Sequence, residues 1–262
     1  MFMKDNISYA KRNLIDSIWK EANLEGIGVT FPQTQEIVEG RTVAGLTIKE
    51  TMTINNLKHA WQFLFDSIDY PLDMQWISQL HYEIGCNDVV LFPGERRESV
   101  VTIGGTDWRP DIPSYEGFKD ALSEVLSIQD PIDRALEAFC VVARTQYFND
   151  GNKRTAQLVA NKILIENGCG VLAVPKASLE EFADRLLKYY ETNDSADLKQ
   201  FLRDNALDNP DLKPSKERFV PNRERFVSKS EPSLRETAEE CRSASEMLNK
   251  ETESHGQNLN VR

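Results

Sequence analysis

The residues best suited to chemistry in this 262-residue chain lie together between Gln146 and Arg154, in the stretch QYFNDGNKR. Gly151 lets the backbone come close to a ligand. A helix opening just after it would offer unpaired N–H groups and the positive end of its dipole, which together form a natural anion site. Lys153 and Arg154 add two cations beside those donors, and Asp150 adds a carboxylate suited to Mg²⁺ bridging phosphate oxygens. These are the parts of a nucleotide polyphosphate site. The plainer reading is a helix-to-helix turn in which Asp, Gly and Asn only bend the chain and cap the next helix. The adjoining Lys-Arg pair and Phe148 narrow that choice.

Two helices must hold the stretch in place. Residues 131–145 carry an apolar face (Ile132, Ala135, Leu136, Phe139, Val142), with Asp130 as cap and Pro131 in the first turn. Residues 152–167 carry another (Leu158, Val159, Ile163, Leu164), closed by Gly168. Upstream, the spacing predicts a helix over 5–24 and a shorter one over 34–40. A long helix follows from Thr47 to about residue 68, with Thr47 and Glu50 as a capping box. Further helices are expected at 73–84, 114–127 and 178–190. Between the first two of these, VVLFPGERRESVVTIGG switches to short β-branched runs around a Pro-Gly turn, which reads as a hairpin in a helical protein.

A formal net charge of -11 argues against a partner held by broad neutralisation of nucleic-acid phosphates. Cys86, Cys140, Cys169 and Cys241 show no paired or CxxC spacing, so neither a disulfide framework nor a zinc site is expected. The start of the chain lacks a basic-then-apolar leader, and no apolar run reaches spanning length, so a cytoplasmic protein without a membrane partner is expected. After about residue 208 the chain turns rich in Pro and charge, and reads as a linker followed by a flexible or partner-binding tail. The resulting division is 1–70 (N-terminal helices), 71–207 (core) and 208–262 (linker and tail).

At Gln146, Phe148, Asp150, Gly151, Asn152, Lys153 and Arg154 the chain resembles the signature of the Fic and Doc proteins, HxFx(D/E)GN(G/K)R. PGERRESVVTIGGTDWRP resembles the flap hairpin of that family, and IVEGRTVAGLTIKET resembles its N-terminal inhibitory helix. The resemblance covers roughly residues 30–205. It implies a mainly α fold: a Fic-type helical bundle with a β-hairpin flap, N-terminal helices and a C-terminal extension. It also implies transfer of AMP from ATP, with Mg²⁺, onto a protein hydroxyl. In that scheme Asp150 carries the metal, and Gly151, Asn152, Lys153, Arg154 and Gln157 hold the nucleotide. Arg97, Val101 and Ile103 belong to the flap on which an unidentified protein target docks, and Glu39 is inhibitory. A homo-oligomer stays open.

Three positions depart from the pattern. Gln146 fills the catalytic histidine slot, and a primary amide has no titrating nitrogen near neutral pH. His59, His81 and His255 read as helix-surface, core-lining or tail residues rather than substitute bases. Gln157 stands where a second arginine is usual, so Glu39 lacks its expected cation and turns to Lys153, Arg154 or a capping role. Gln35 stands in the Ser/Thr position of the inhibitory motif. These departures leave three readings: an AMP transferase of reduced or altered activity, a Doc-like phosphotransferase, and a catalytically retired nucleotide-binding or antitoxin-like regulatory module.

Overall fold

The computed structural model describes residues 1–210; the chain from 211 onward, and with it nearly all of the expected 208–262 tail, lies outside the described residues. At the centre are α7 (Pro131–Thr145) and α8 (Asn152–Glu166), joined by the loop 146–151. Every residue of α8 from Arg154 to Ile165 is buried. A helix enclosed all round needs no polar face, but each polar side chain on it must find a partner. Asn161 both donates to and accepts from the Leu172 backbone, and Lys162 donates to the Ile68 carbonyl at 2.7 Å. The central helix is thereby fastened to its surroundings by its polar residues as well as its apolar ones.

Around this pair stand α1 (Met3–Arg12), α4 (Ile48–Asp66), α5 (Met74–Gly85), α6 (Tyr115–Ser127), α9 (Leu179–Thr192) and α10 (Ala196–Phe201). Next to α4 pack α2 (Leu14–Leu24) and α3 (Phe31–Val38). The N-terminal helices close directly on the core. Asn6 on α1 donates to the carbonyls of Leu164 and Gly170, and α4 packs along α5 across the expected division at residue 70.

Local sequence accounts for half of the α-helix starts among the described residues. The capping box of Thr47 and Glu50 forms as expected, and a second joins Thr30 to Gln33 at the head of α3. Asp73, Ser114 and Asp130 each accept a first-turn N–H of α5, α6 and α7. The single helix expected over 5–24 is instead two, broken at Asn13, whose side chain turns back to the Tyr9 carbonyl.

The strands fall elsewhere than the Pro-Gly segment. β1 (Val171–Leu172) pairs antiparallel with β2 (Leu207–Asp208), Val171 opposite Asp208. Gly170 makes this approach possible: its φ is +93°, and a Cβ there would collide with the Asp208 carbonyl. The stretch 86–114, where the hairpin was expected, runs as turns and extended chain without a ladder. Its backbone groups are taken by a buried side chain instead. The Arg97 guanidinium donates to the carbonyls of Ser99, Pro110, Asp111 and Gln146, drawing both ends of the segment onto the core.

Candidate functional site

The loop between α7 and α8 is anchored by its aromatic residues. Tyr147 is buried against Phe118, and fully buried Phe148 stacks on His81 with ring centroids 3.7 Å apart. With these two rings inside, Asn149 and Asp150 are left at the surface, and the Asp150 side chain is 60% exposed. Gly151 follows with φ +78°, and a Cβ there would press on His81 Nε2 at 3.2 Å. This position therefore needs glycine on both conformational and steric grounds.

His81 joins the loop to the flap segment. Its Nδ1 accepts from the Gly94 N–H at 2.7 Å, which places the proton on Nε2, 2.8 Å from the Asp150 carbonyl it donates to. Burial holds its pKa down at about 4, so the ring is neutral across the physiological range. It is the core-lining histidine of the sequence reading, with both nitrogens committed.

Gln146 ends α7 in the left-handed region, φ 47° and ψ 50°. Its amide nitrogen donates to the Ala143 carbonyl at 2.7 Å and lies 3.4 Å from the Tyr190 hydroxyl; its amide oxygen accepts from Asn152 at 3.0 Å. Asn152 itself is turned inward, accepting from the Phe148 N–H and donating to the Phe148 carbonyl. Its side chain holds the shape of the loop. Burial pushes the Tyr190 phenol well above its ordinary range, which leaves it a neutral hydrogen-bonding group beside Gln146.

At the head of α8 the Arg154 side chain is only 4% exposed, and its Nε and Nη1 have no hydrogen-bond partner in the protein. The carboxylate nearest it is Glu25, just past the end of α2, at 3.3 Å from Nε; Asp150 lies 3.5 Å from Nη2. Glu25 also stands 3.8 Å from Lys153 Nζ. These are contacts of opposite charge without hydrogen-bond geometry, strong in Coulomb terms and loose in position.

A cavity of about 500 Å³ opens over this loop. Gln146 and Asn149–Lys153 form its floor, Glu25 and Gly26 one lip, and Val101–Gly104 the other; Leu179, Phe182 and Leu186 of α9 make an apolar wall. Among the expected site residues, Gln146, Asp150, Gly151, Asn152, Lys153, Val101 and Ile103 meet here, and Arg154, itself outside the lining, contacts Glu25 and Asp150 within it. Three do not. Arg97 is buried under the flap segment, out of reach of any docking target. Gln157 is fully buried, donating to Glu21 at 2.8 Å. Glu39 lies at the surface, accepting from Gln35 at 2.8 Å and paired with Arg41 at 2.8 Å.

Sequence reasoning missed Glu25, Glu21 and Tyr190. Glu25 had a signal. Glu25-Gly26 is the same dipeptide as Glu39-Gly40, and it too ends an amphipathic helix.

Residues 71–164 match the model of the Fic/DOC family. Protein adenylyltransferase fic-1 of Caenorhabditis briggsae is 26% identical over 197 residues, 71% of this chain and 38% of the relative. Protein adenylyltransferase Fic of Drosophila willistoni is 26% identical over 205 residues, 74% of this chain and 39% of the relative. The chain thus spans less than half the length of the curated relatives it matches. The solved structure of Fic-1 (residues 134–508) from C. elegans superposes with a TM-score of 0.62 at 23% identity, covering 77% of this chain and 64% of that one. A Fic-domain signaling protein from Bacteroides thetaiotaomicron gives 0.60 at 17% identity, covering 75% and 82%. The helical architecture is that of these structures.

Proposed function

We propose, from the match of residues 71–164 to the Fic/DOC family model, that the cleft binds ATP with Mg²⁺ and passes AMP slowly to a protein hydroxyl. The observation that carries this reading is Arg154. A guanidinium buried at a helix N-terminus, with two N–H donors lacking a protein hydrogen-bond partner, can give charge-assisted hydrogen bonds to phosphate oxygens. Lys153 adds charge from the cleft floor, and the apolar face of α9 offers a dry wall for the rest of the nucleotide. The relatives' name, protein adenylyltransferase, supports AMP as the transferred group.

The donor set suits Mg²⁺. Asp150 is an exposed, hard oxygen ligand, and no group of three His, Cys, Asp or Glu gathers among the described residues. Such a site leaves the remaining positions to phosphate oxygens and water, as Mg²⁺ prefers. The ion would neutralise charge that builds on the phosphates during transfer.

The chain's own residues do the positioning. The lip at Val101–Gly104 faces the loop across the cleft, and an extended target segment laid along it would bring a hydroxyl toward the phosphates. Arg97 holds that lip from behind. Gln146 cannot accept the hydroxyl proton, so the reaction lacks the roughly 10²–10⁴-fold that a general base contributes. Glu25, and not Glu39, is the inhibitory carboxylate of this reading, because it is the one that occupies Arg154.

A second reading is binding of the nucleotide without transfer. Its support is the Gln146 amide, whose nitrogen and oxygen both already hold protein partners. ATP labelled at the α or the γ phosphate, incubated with Mg²⁺, the protein and a cell lysate, separates the two. Protein label from the α position is the expected outcome. Label from γ alone points to a phosphotransferase. Absence of both in a Glu25→Gly variant that still binds ATP by calorimetry leaves the binding module.

A further inference from the structure

Gln157 lies three residues beyond Arg154, yet its side chain turns away from the cleft. Its Nε2 donates to Glu21 Oε1 at 2.8 Å, and the other oxygen of Glu21 accepts from the Trp61 indole N–H at 3.2 Å. Glu21, Gln157 and Trp61 have no exposed surface. One carboxyl therefore fastens the last turn of α2 to α8 and α4 together. Glu25, a turn further on, owes its place over Arg154 and Lys153 to that fastening.

The protonation state of this carboxyl decides how strong the fastening is. A buried carboxylate facing only neutral donors carries a large desolvation cost, and Glu21 answers by keeping its proton up to a pKa of about 8. Burial is the largest cause. The charged groups acting on it are Glu25, just past the end of α2, which favours the proton, and Arg154 from α8, which opposes it; α4 presents only the neutral indole. The amide oxygen of Gln157 is buried without a donor. The hydrogen bonds from Trp61 and Gln157 favour the carboxylate but burial outweighs both, so the ionised group gains by leaving the core for water.

We propose that Glu21 and Gln157 form a proton-dependent latch: protonated Glu21 seats the end of α2 and holds Glu25 on Arg154, and loss of the proton to solvent unseats that turn and releases Arg154. Glu21 is thus a positioning residue that acts through Glu25. The consequence for activity rests on the reading of Arg154 as the phosphate ligand. The latch itself does not.

Hydrogen exchange followed by mass spectrometry on the full chain tests it, comparing peptides that cover residues 14–26 at about pH 6.5 and 8.5 after correction for intrinsic rates. The ionised fraction of a group titrating near 8 rises roughly twentyfold over that interval. Wild-type α2 should lose protection at the higher pH by about tenfold or more. Glu21→Gln, neutral at every pH and nearly the same shape, should keep α2 protected at both. Gln157→Met, which keeps the volume and removes the amide, should leave α2 poorly protected at both. An identical pH response in wild type and Glu21→Gln overturns the latch, as does full protection in Gln157→Met.

Transfer of α-labelled AMP is read in parallel. A rise with pH in wild type that Glu21→Gln abolishes ties the latch to the cleft. If exchange behaves as expected while no variant transfers label, the latch stands and the transferase reading fails.

Discussion

Two helices of this protein end in Glu-Gly, and the two glutamates have different fates. Glu25 follows α2 and keeps a side chain only 14% exposed, between Arg154 and Lys153. Glu39 follows α3 with a side chain 36% exposed, and its partners are Gln35 and Arg41 of its own neighbourhood. Locally they are nearly equivalent. What separates them is where each helix end is fastened: α2 is pinned to the central helix α8 through Glu21 and Gln157, whereas the end of α3 is tied to α4, Lys58 donating to the Val38 carbonyl at 2.8 Å. A carboxylate becomes part of a site through the packing of the helix that carries it, and a dipeptide motif does not report that packing.

The largest expected effect comes from restoring a base. Gln146→His should raise AMP transfer by about 10²–10⁴-fold. If the comparison is right, the gain is fully expressed with Glu25→Gly and hardly altered by Glu39→Gly; equal enhancement by both would erase the distinction. Next is Arg154→Ala, which should weaken ATP binding by about 1.5–3 kcal/mol through loss of a charge-assisted contact. Unchanged affinity by calorimetry would remove the guanidinium that gives Glu25 its meaning.

A smaller effect is expected from the two glutamates themselves. Glu25→Gln should tighten ATP binding by about fivefold to tenfold, the scale of a partly buried ion pair traded for a phosphate contact. Glu39→Gln should leave affinity within about twofold, since its ion pair is solvent-exposed. The same titration measures both, and a larger shift for Glu39 reverses the assignment.

Smallest in activity terms, though measurable, is the pH dependence of stability. Glu21 has a folded pKa raised to about 8 from the ordinary 4.5, so the folded state binds the extra proton between those values. Its contribution is whole below about pH 4.5 and falls away as pH climbs toward 8. His81 acts in the opposite direction, with a folded pKa lowered to about 4 from 6.5. Its contribution is whole above about pH 6.5 and is lost as pH falls toward 4. Urea unfolding across pH should therefore show Glu21→Gln flattening the loss from pH 5 to 8, on the order of a few kcal/mol, without changing the acid side. A wild-type alkaline slope that persists in the variant would mean that Glu21 is not the group responsible.

Much of the fold could be read from the chain because its helices announce their own ends. Thr47 with Glu50 and Asp130 with Pro131 are local signals, and local structure obeyed them. The loop 146–154 was legible for the same reason. The rest depended on distant partners. Arg97 looks like a surface residue of a hairpin until four carbonyls from three places in the chain converge on it. Asn152 and Gln157 look like phosphate ligands beside Lys153 and Arg154, but a helix enclosed on all sides turns most of its polar groups inward. Two-residue strands such as Val171–Leu172 are too short for any alternation to show.

The imidazole of His81 has one further consequence. With one nitrogen on the Gly94 N–H and the other on the Asp150 carbonyl, it spans the flap segment and the loop that shapes the cleft floor. Neither nitrogen is spare, so neither neighbour can shift without breaking a bond to the same ring. The ring therefore acts as a mechanical relay. A load applied where the flap leaves the core is felt at the backbone of Asp150 on the cleft floor, through a path one side chain long.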